Sequence, residues 1–186
     1  VLSFVYAEGL FMRKYQKPKR SLKSLQGLAA KRNGADAESQ LEQIAQVYER
    51  EGVAELSKRY EPYRRVSGTG STGVFKAAYL GSSGCDFELW LKDGRAGHVE
   101  MKSREADRIS KTALDPTQQA QLQRRVDWGQ LALVVVRLRG EWVLIPYERW
   151  HEGERKTHSA SQLLEIGVAV PMREGLPDLL AALALL

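Results

Sequence analysis

Along residues 36–51 the apolar positions Leu41, Ile44, Ala45, Val47 and Tyr48 recur at helical spacing, and Gly52 follows as a stop signal. This pattern predicts a first helix over 36–51. A short extended stretch across 53–63 comes next, then SGTGSTG at 67–73, whose glycine and hydroxyl residues mark a loop or turn. VFKAAYLGSSG leads from there into Asp86. Residues 87–91 and 96–101 read as two strands, and Lys92, Asp93 and Gly94 between them carry the Asp-Gly signal of a tight hairpin. Pro116 opens a helix that runs to about Val126. The continuous apolar run LALVVV at 131–136 has the character of a strand buried on both faces, with 141–146 as its partner. A small helix over 159–166 closes the series, and no internal repeat is visible. Strands interleaved with helices predict an α/β fold, a central mixed β-sheet flanked by helices.

Composition narrows the class. The 186 residues are 43% apolar and 27% charged, enough for one compact domain with a core. A single cysteine, Cys85, excludes an internal disulfide, and three scattered histidines lack zinc-ligand spacing, so a reducing, cytoplasmic setting is expected. No apolar run approaches the roughly 20 residues of a membrane span, and the opening VLSFVYAEGLF, interrupted by Glu8 and without a basic leader, does not read as an export signal. Met12 offers a start, with residues 1–11 as an extension, and a trimmed or alternatively initiated chain is the equal alternative.

The net charge of +5 is unevenly placed. Arg13, Lys14, Lys17, Lys19, Arg20, Lys23, Lys31 and Arg32 crowd the stretch from Met12 to Asn33, which holds no acid. The other 20 basic residues are outnumbered by 23 acids, so the excess charge belongs to this arm. Residues 1–32 therefore read as a basic, flexible arm and 33–186 as the main domain. Such an arm suits a polyanion, because Lys and Arg that neutralise phosphates supply most sequence-independent nucleic-acid affinity. A solvated leader is the competing reading.

The chemistry gathers on the hairpin. Asp86 stands just before its first strand, and Glu100 and Lys102 lie two apart on its second, so strand alternation sends both to one face while Met101 points into the core. Two acids brought together in this way share a divalent cation, with oxygen ligands at about 2.1 Å for Mg2+. The cation would polarise a scissile phosphate and acidify a water, and Lys102 would orient that water or steady the developing negative charge. Glu-x-Lys alone is weak, since any amphipathic strand can carry it. The ordered context of acid, hairpin, apolar strand and helix is more specific.

Taken together, these segments resemble the RecU-type Holliday junction resolvases, within the PD-(D/E)XK nuclease superfamily. The resemblance covers roughly 33–150. RNGADAE at 32–38 resembles the family's asparagine and glycine stretch followed by a glutamate on the first helix, which implies a place for Glu38 near the metal. VFKAAYLGSSGCDF at 74–87 is similar to the segment leading through a protruding stalk to the first catalytic aspartate, here Asp86. VEMKSRE at 99–105 resembles the second catalytic stretch, giving Glu100 and Lys102, with the Met101 backbone carbonyl as a further metal ligand. DPTQQAQLQRR at 115–125 resembles the helix whose glutamine reaches the active site, and spacing to the following glycine favours Gln118 over Gln119. GQLALVVVRLRGEWVLIPYERW at 129–150 looks like the closing strand pair. The resemblance implies a restriction-endonuclease-like core, Mg2+ (with Mn2+ as a substitute), a homodimer with two active sites, and cleavage of four-way junction DNA in a bacterial or phage-infected cell. This chain departs from the pattern between 62 and 79, which is shorter and richer in glycine, so the stalk or loop at 64–82 is expected to be short.

Several residues carry two readings. Glu38 is a catalytic acid or an acid favoured by the helix dipole, and Gln118 a site residue or a solvated first-turn polar group. Lys76, Arg64 and Arg65 flank the stalk as phosphate contacts or as ordinary exposed cations, and Arg13, Lys14, Lys17, Lys19 and Arg20 of the arm are DNA contacts or a solvated tail. His98 shares a strand face with Glu100. Cys85 reads as a small buried filler, and Trp90, Trp128, Trp142 and Trp150 as core or rim packing. Two other functions stay open: a PD-(D/E)XK nuclease acting on other DNA, such as an exonuclease, flap or repair nuclease, and a nucleic-acid-binding protein with the fold but no activity.

Overall fold

Helix α1 occupies Leu22–Glu51 in the computed structural model, which describes residues 22–60, 63–67, 76–79, 84–152 and 154–186. It packs through Ala37, Leu41, Ile44 and Tyr48, spaced three or four residues apart and buried as one stripe. The helix ends where the hydrophobic pattern says it should: Gly52 takes φ +65°, and Val53 N donates back to the Tyr48 carbonyl. Its start lies well before the expected 36. The segment LKSLQGLAAKRNGA carries Leu22, Leu25, Leu28 and Ala29 at helical spacing, with Lys, Arg and Gln between and no proline, and the helix runs through it despite Gly27 and Gly34. The expected boundary at 32/33 between arm and main domain thus falls inside a continuous helix.

Strand β1 (Ala54–Lys58) follows, then β2 (Tyr63–Ser67) and β3 (Lys76–Tyr79), which pair with each other antiparallel as a separate two-stranded sheet in the region expected to form a stalk. The expected hairpin is present as β4 (Phe87–Leu91) and β5 (Ala96–Arg104), the second running three residues beyond the predicted end. After β6 (Arg108–Ser110) and a short 3-10 turn, α2 (Pro116–Asp127) crosses back to β7 (Leu131–Leu138), which turns into β8 (Glu141–Pro146). The C-terminal part holds α3 (Tyr147–Trp150), β9 (Thr157–Ser159), α4 (Ala160–Ile166), the two-residue strands β10 (Val168–Ala169), β11 (Met172–Arg173) and β12 (Leu176–Pro177), and α5 (Leu179–Leu183).

Six strands make the main sheet in the order β1-β4-β5-β7-β8-β10. β5 and β7 run parallel and the other neighbours antiparallel, so the sheet is mixed, as expected. One face carries Phe87, Leu89, Val99, Met101, Leu133, Val135 and Leu144 against α1, with Leu179 and Ala182 of α5 completing that layer. Tyr48 ties the layer together: its hydroxyl donates to Asp178 (2.8 Å) and accepts from Leu180 N (3.2 Å). The opposite face carries Ala132, Val134, Val136, Val143 and Ile145 against Leu122 of α2, Trp150 of α3 and Leu163 of α4. This is an α/β fold with a central mixed sheet between helices. No helix among the described residues is long and apolar enough to cross a membrane.

Candidate active site

The site forms at the start of β4, past which β5 keeps only β7 as a strand neighbour. Phe87 pairs with Val99, so beyond Val99 the edge of β5 has no β4 backbone beside it. The Asp86 side chain fills that position, and its Oδ2 accepts from Met101 N at 2.8 Å. N–H and C=O of one strand residue point to the same edge, so the Met101 carbonyl faces the side from which Asp86 reaches in. The Met101 side chain is buried on the α1 face, as alternation requires.

Glu100 and Lys102 lie on the other face, under the start of α2. That helix is capped by Asp115, whose carboxylate accepts from Thr117 N (2.8 Å) and Gln118 N (3.0 Å), while Gln118 Oε1 accepts from Asp115 N (3.1 Å). The box fixes the Gln118 side chain over the strand. Its Nε2 donates to Glu100 Oε1 at 2.5 Å, and its Oε1 accepts from Lys102 Nζ at 3.0 Å. Lys102 Nζ also donates to Glu100 Oε1 at 2.6 Å. Glu100, Lys102 and Gln118 form a closed triangle. Gln119, the neighbour set aside from spacing, turns away and donates to the Leu114 carbonyl at 2.8 Å.

The electrostatics are those of acids held together without enough positive charge. Glu100 is fully buried, its Oε2 meets no donor among the described residues, and the acid hydrogen-bonds to Asp86 when it holds its proton. Burial first, and the neighbouring Asp86 charge second, push its pKa up to about 8 against the opposing pull of Lys102. Asp86 is raised as well, chiefly by burial, with the Met101 N–H and Lys102 acting the other way and the Glu38 charge adding to the rise. A divalent cation would relieve both strains, and paired carboxylates are the hard donor set that Mg2+ or Mn2+ takes. The cluster is nevertheless incomplete: no group of three or more His, Cys, Asp or Glu residues stands ready around one ion position among the described residues.

Glu38 explains part of that. It lies near enough to Asp86 to act on its pKa, yet its carboxylate is paired with Lys58 Nζ at 3.0 Å, and Lys58 also binds Glu42. His98 shares the face of Glu100 but turns to Glu88, Nε2 to Oε1 3.8 Å, and burial followed by the Arg125 charge lowers its pKa to about 4. Cys85 is a buried filler as expected, its thiol pushed up to about 12 by burial and then by the charges of Glu100 and Asp86. Trp142 and Trp150 pack in the core, whereas Trp90 and Trp128 are exposed. Lys76, Arg64 and Arg65 have backbone positions on β2 and β3, with side chains outside the described set, and Arg13, Lys14, Lys17, Lys19 and Arg20 lie outside the described residues altogether.

Sequence reasoning missed two residues here. Gln121 backs the turn into Asp86: Gly84 sits at φ +92°, which favours glycine, and a Cβ there would lie 1.4 Å from Gln121 Oε1, so that side chain would have to swing away. Lys58 occupies the two nearby acids of α1. Gln121 was within reach, since three residues separate it from Gln118 on the same helix face.

No protein-family model and no curated protein sequence matches this chain. Among solved structures, it is similar to the Holliday junction resolvase Hjc of Archaeoglobus fulgidus, at 18% identity and a TM-score of 0.42, over 70% of this chain and 94% of that one.

Proposed function

We propose that the chain is a divalent-metal-dependent DNA endonuclease that resolves four-way junctions, with Asp86, Glu100 and Lys102 at its catalytic centre. The observation that carries the reading is the buried Glu100, raised in pKa and held beside Asp86, Lys102 and Gln118. A fold with no use for these groups would leave solvated carboxylates there, because burying two acids side by side costs stability.

Asp86 and Glu100 would hold Mg2+ or Mn2+, with the Met101 carbonyl on the same edge. When bound, such an ion supplies positive charge against the phosphodiester and makes water a better nucleophile at neutral pH. Lys102 donates toward the oxygen that gains charge as the phosphate is attacked. Gln118 keeps Lys102 and Glu100 in register, so neither must reorganise as the reaction proceeds. Asp86 is pinned through Oδ2 to the strand, which fixes its carboxylate beside Glu100, where the two acids would hold the ion. Glu38 is a further acid that joins the site if its pair with Lys58 opens.

Junction DNA as substrate and a homodimer as the acting form rest on the resemblance of 33–150 to RecU-type resolvases and on the need for two opposed cuts. The β2–β3 pair stands where that resemblance puts the stalk, and the basic stretch before Asn33 supplies charge for phosphates. The test is incubation of purified protein with a four-way junction, linear duplex and single strand, with Mg2+ and with chelator, beside Lys102→Ala. Paired symmetric nicks confined to the junction and lost in the variant support the proposal. Cutting of linear DNA would leave a nuclease of another substrate, and binding without metal-dependent cutting would refute the enzyme.

A further inference from the structure

Next to the acid cluster, on the same face of the sheet, lies a small polar recess with exposed aromatic rings beside it. Three inward positions of α2 lead to it: Gln118 at Glu100, Gln121 at Gly84, and Arg125 at the recess. Glu88, Trp90, His98, Arg125 and Gln130 line a cavity of about 80 Å³. Seven residues of helix separate Gln118 from Arg125, about 10 Å at 1.5 Å per residue.

Its chemistry is specific. Trp90 is 51% exposed and Trp128 61%, although rings of this size are normally well buried. The Arg125 guanidinium lies 5.1 Å from the centre of the Trp128 ring and donates through Nη1 to Gln130 Oε1 at 3.1 Å. His98 is 4% exposed, yet its Nδ1 has no hydrogen-bond partner among the described residues, and neither has Arg125 Nε. The acid at the recess, Glu88, is answered by Arg59 Nη1 at 3.0 Å, so the recess does not repel an electron-rich ligand. Planar faces outside and unsatisfied polar atoms inside match a nucleobase, which stacks through its face and hydrogen-bonds through its edge. The cavity is too small to enclose a base and takes only its edge.

We propose that Trp90, Trp128 and the recess formed by His98, Arg125 and Gln130 hold an unpaired nucleobase of the DNA being cut, within about three nucleotides of the scissile phosphate at the ~3.4 Å spacing along a strand. The inference rests on the nuclease reading and deepens it. A fully paired duplex presents no such base, so this contact favours DNA with unpaired nucleotides at the cut over plain duplex.

The test uses the full chain with chelator present, so that binding is read without cleavage. Fluorescence anisotropy compares wild type, Trp90→Ala, Trp128→Ala and the double variant on a labelled four-way junction with two unpaired nucleotides at its centre and on a plain duplex, with sedimentation of each protein in parallel. At the usual strength of base stacking on an aromatic ring, the double variant should lose about tenfold or more in affinity for the first DNA and less than about twofold for the duplex, with sedimentation unchanged. Equal loss on both DNAs, no loss, or an altered oligomeric state, which would mean that a second copy covers the tryptophans, overturns it. Wild type that binds the DNA, beside variants that bind it equally well, overturns this inference alone; wild type that binds neither DNA removes the nuclease reading with it.

Discussion

Replacing Glu100 by glutamine should make the metal-free protein more stable at alkaline pH, and the size of the gain follows from the site. An ordinary glutamate ionises near 4.5, whereas Glu100 in the fold holds its proton to about 8. Below 4.5 the folded and unfolded chains both carry that proton, and the group contributes no difference. Between 4.5 and 8 the unfolded chain releases it while the folded one keeps it, so stability falls as pH rises, at about 1.4 kcal/mol per pH unit. Above 8 the loss is complete. Taken at face value it reaches about 5 kcal/mol, and rearrangement of Lys102 and Gln118 around the ionised group lowers the expected figure to about 2–4 kcal/mol. Asp86, also raised, adds a slope of the same sign. The amide introduced by Glu100→Gln would keep the acceptor that Lys102 and Gln118 use, and its NH2 group would donate toward Asp86. Thermal or urea unfolding with chelator present, from pH 5 to 9, gives the comparison. Wild type should lose stability across this range and Glu100→Gln much less, while saturating Mg2+ should restore the wild type at pH 8–9 more than the variant. Parallel profiles for the two proteins would refute the account of a buried, uncompensated carboxylate.

Lys102→Ala should lower Mg2+-dependent cleavage by about 10²- to 10³-fold, as expected for one donor to developing charge, while calorimetric titration still finds the cation bound. Gln118→Ala should reduce cleavage and cost about 1 kcal/mol of stability through the lost capping box, whereas Gln119→Ala, whose amide serves only the Leu114 carbonyl among the described contacts, should cut at the wild-type rate. Gly84→Ala should destabilise by about 1–3 kcal/mol in chemical unfolding, and pairing it with Gln121→Ala should recover the steric part but not the cost of φ +92°. Lys58→Ala should tighten Mg2+ binding severalfold by freeing Glu38, if that acid completes the cation site; unchanged affinity would exclude Glu38 from it.

Much of this site was legible because each part had a local cause. Asp93 and Gly94 set the hairpin, strand alternation put Glu100 and Lys102 on one face and Met101 on the other, and Pro116 announced the helix that delivers Gln118. The chosen glutamine is the one that touches the cluster. What escaped had a weak local signature or none. The first half of α1 lies in the basic stretch, where Gly27, Asn33 and Gly34 interrupt its short apolar series, and strands of two or three residues such as β6, β9, β10, β11 and β12 are too short for alternation to register. The Lys58 pair with Glu38 joins an edge strand to a helix, and Trp90 and Trp128 look like any core tryptophans until the fold shows which rings are left outside. Such pairings depend on tertiary geometry, which periodicity does not carry.

The parallel pairing of β5 with β7 has a bearing on synthesis. Its antiparallel neighbours can zip up from adjacent chain, but β5 cannot acquire its parallel partner until α2 has crossed over and residues 131–138 have been made. Glu100 and Lys102 are then clamped beneath Gln118 by a connection that closes late. A chain emerging from the ribosome in N-to-C order would carry Asp86, Glu100 and Lys102 long before they stand in working geometry, so the order of translation itself withholds the acid cluster until most of the core around it has formed.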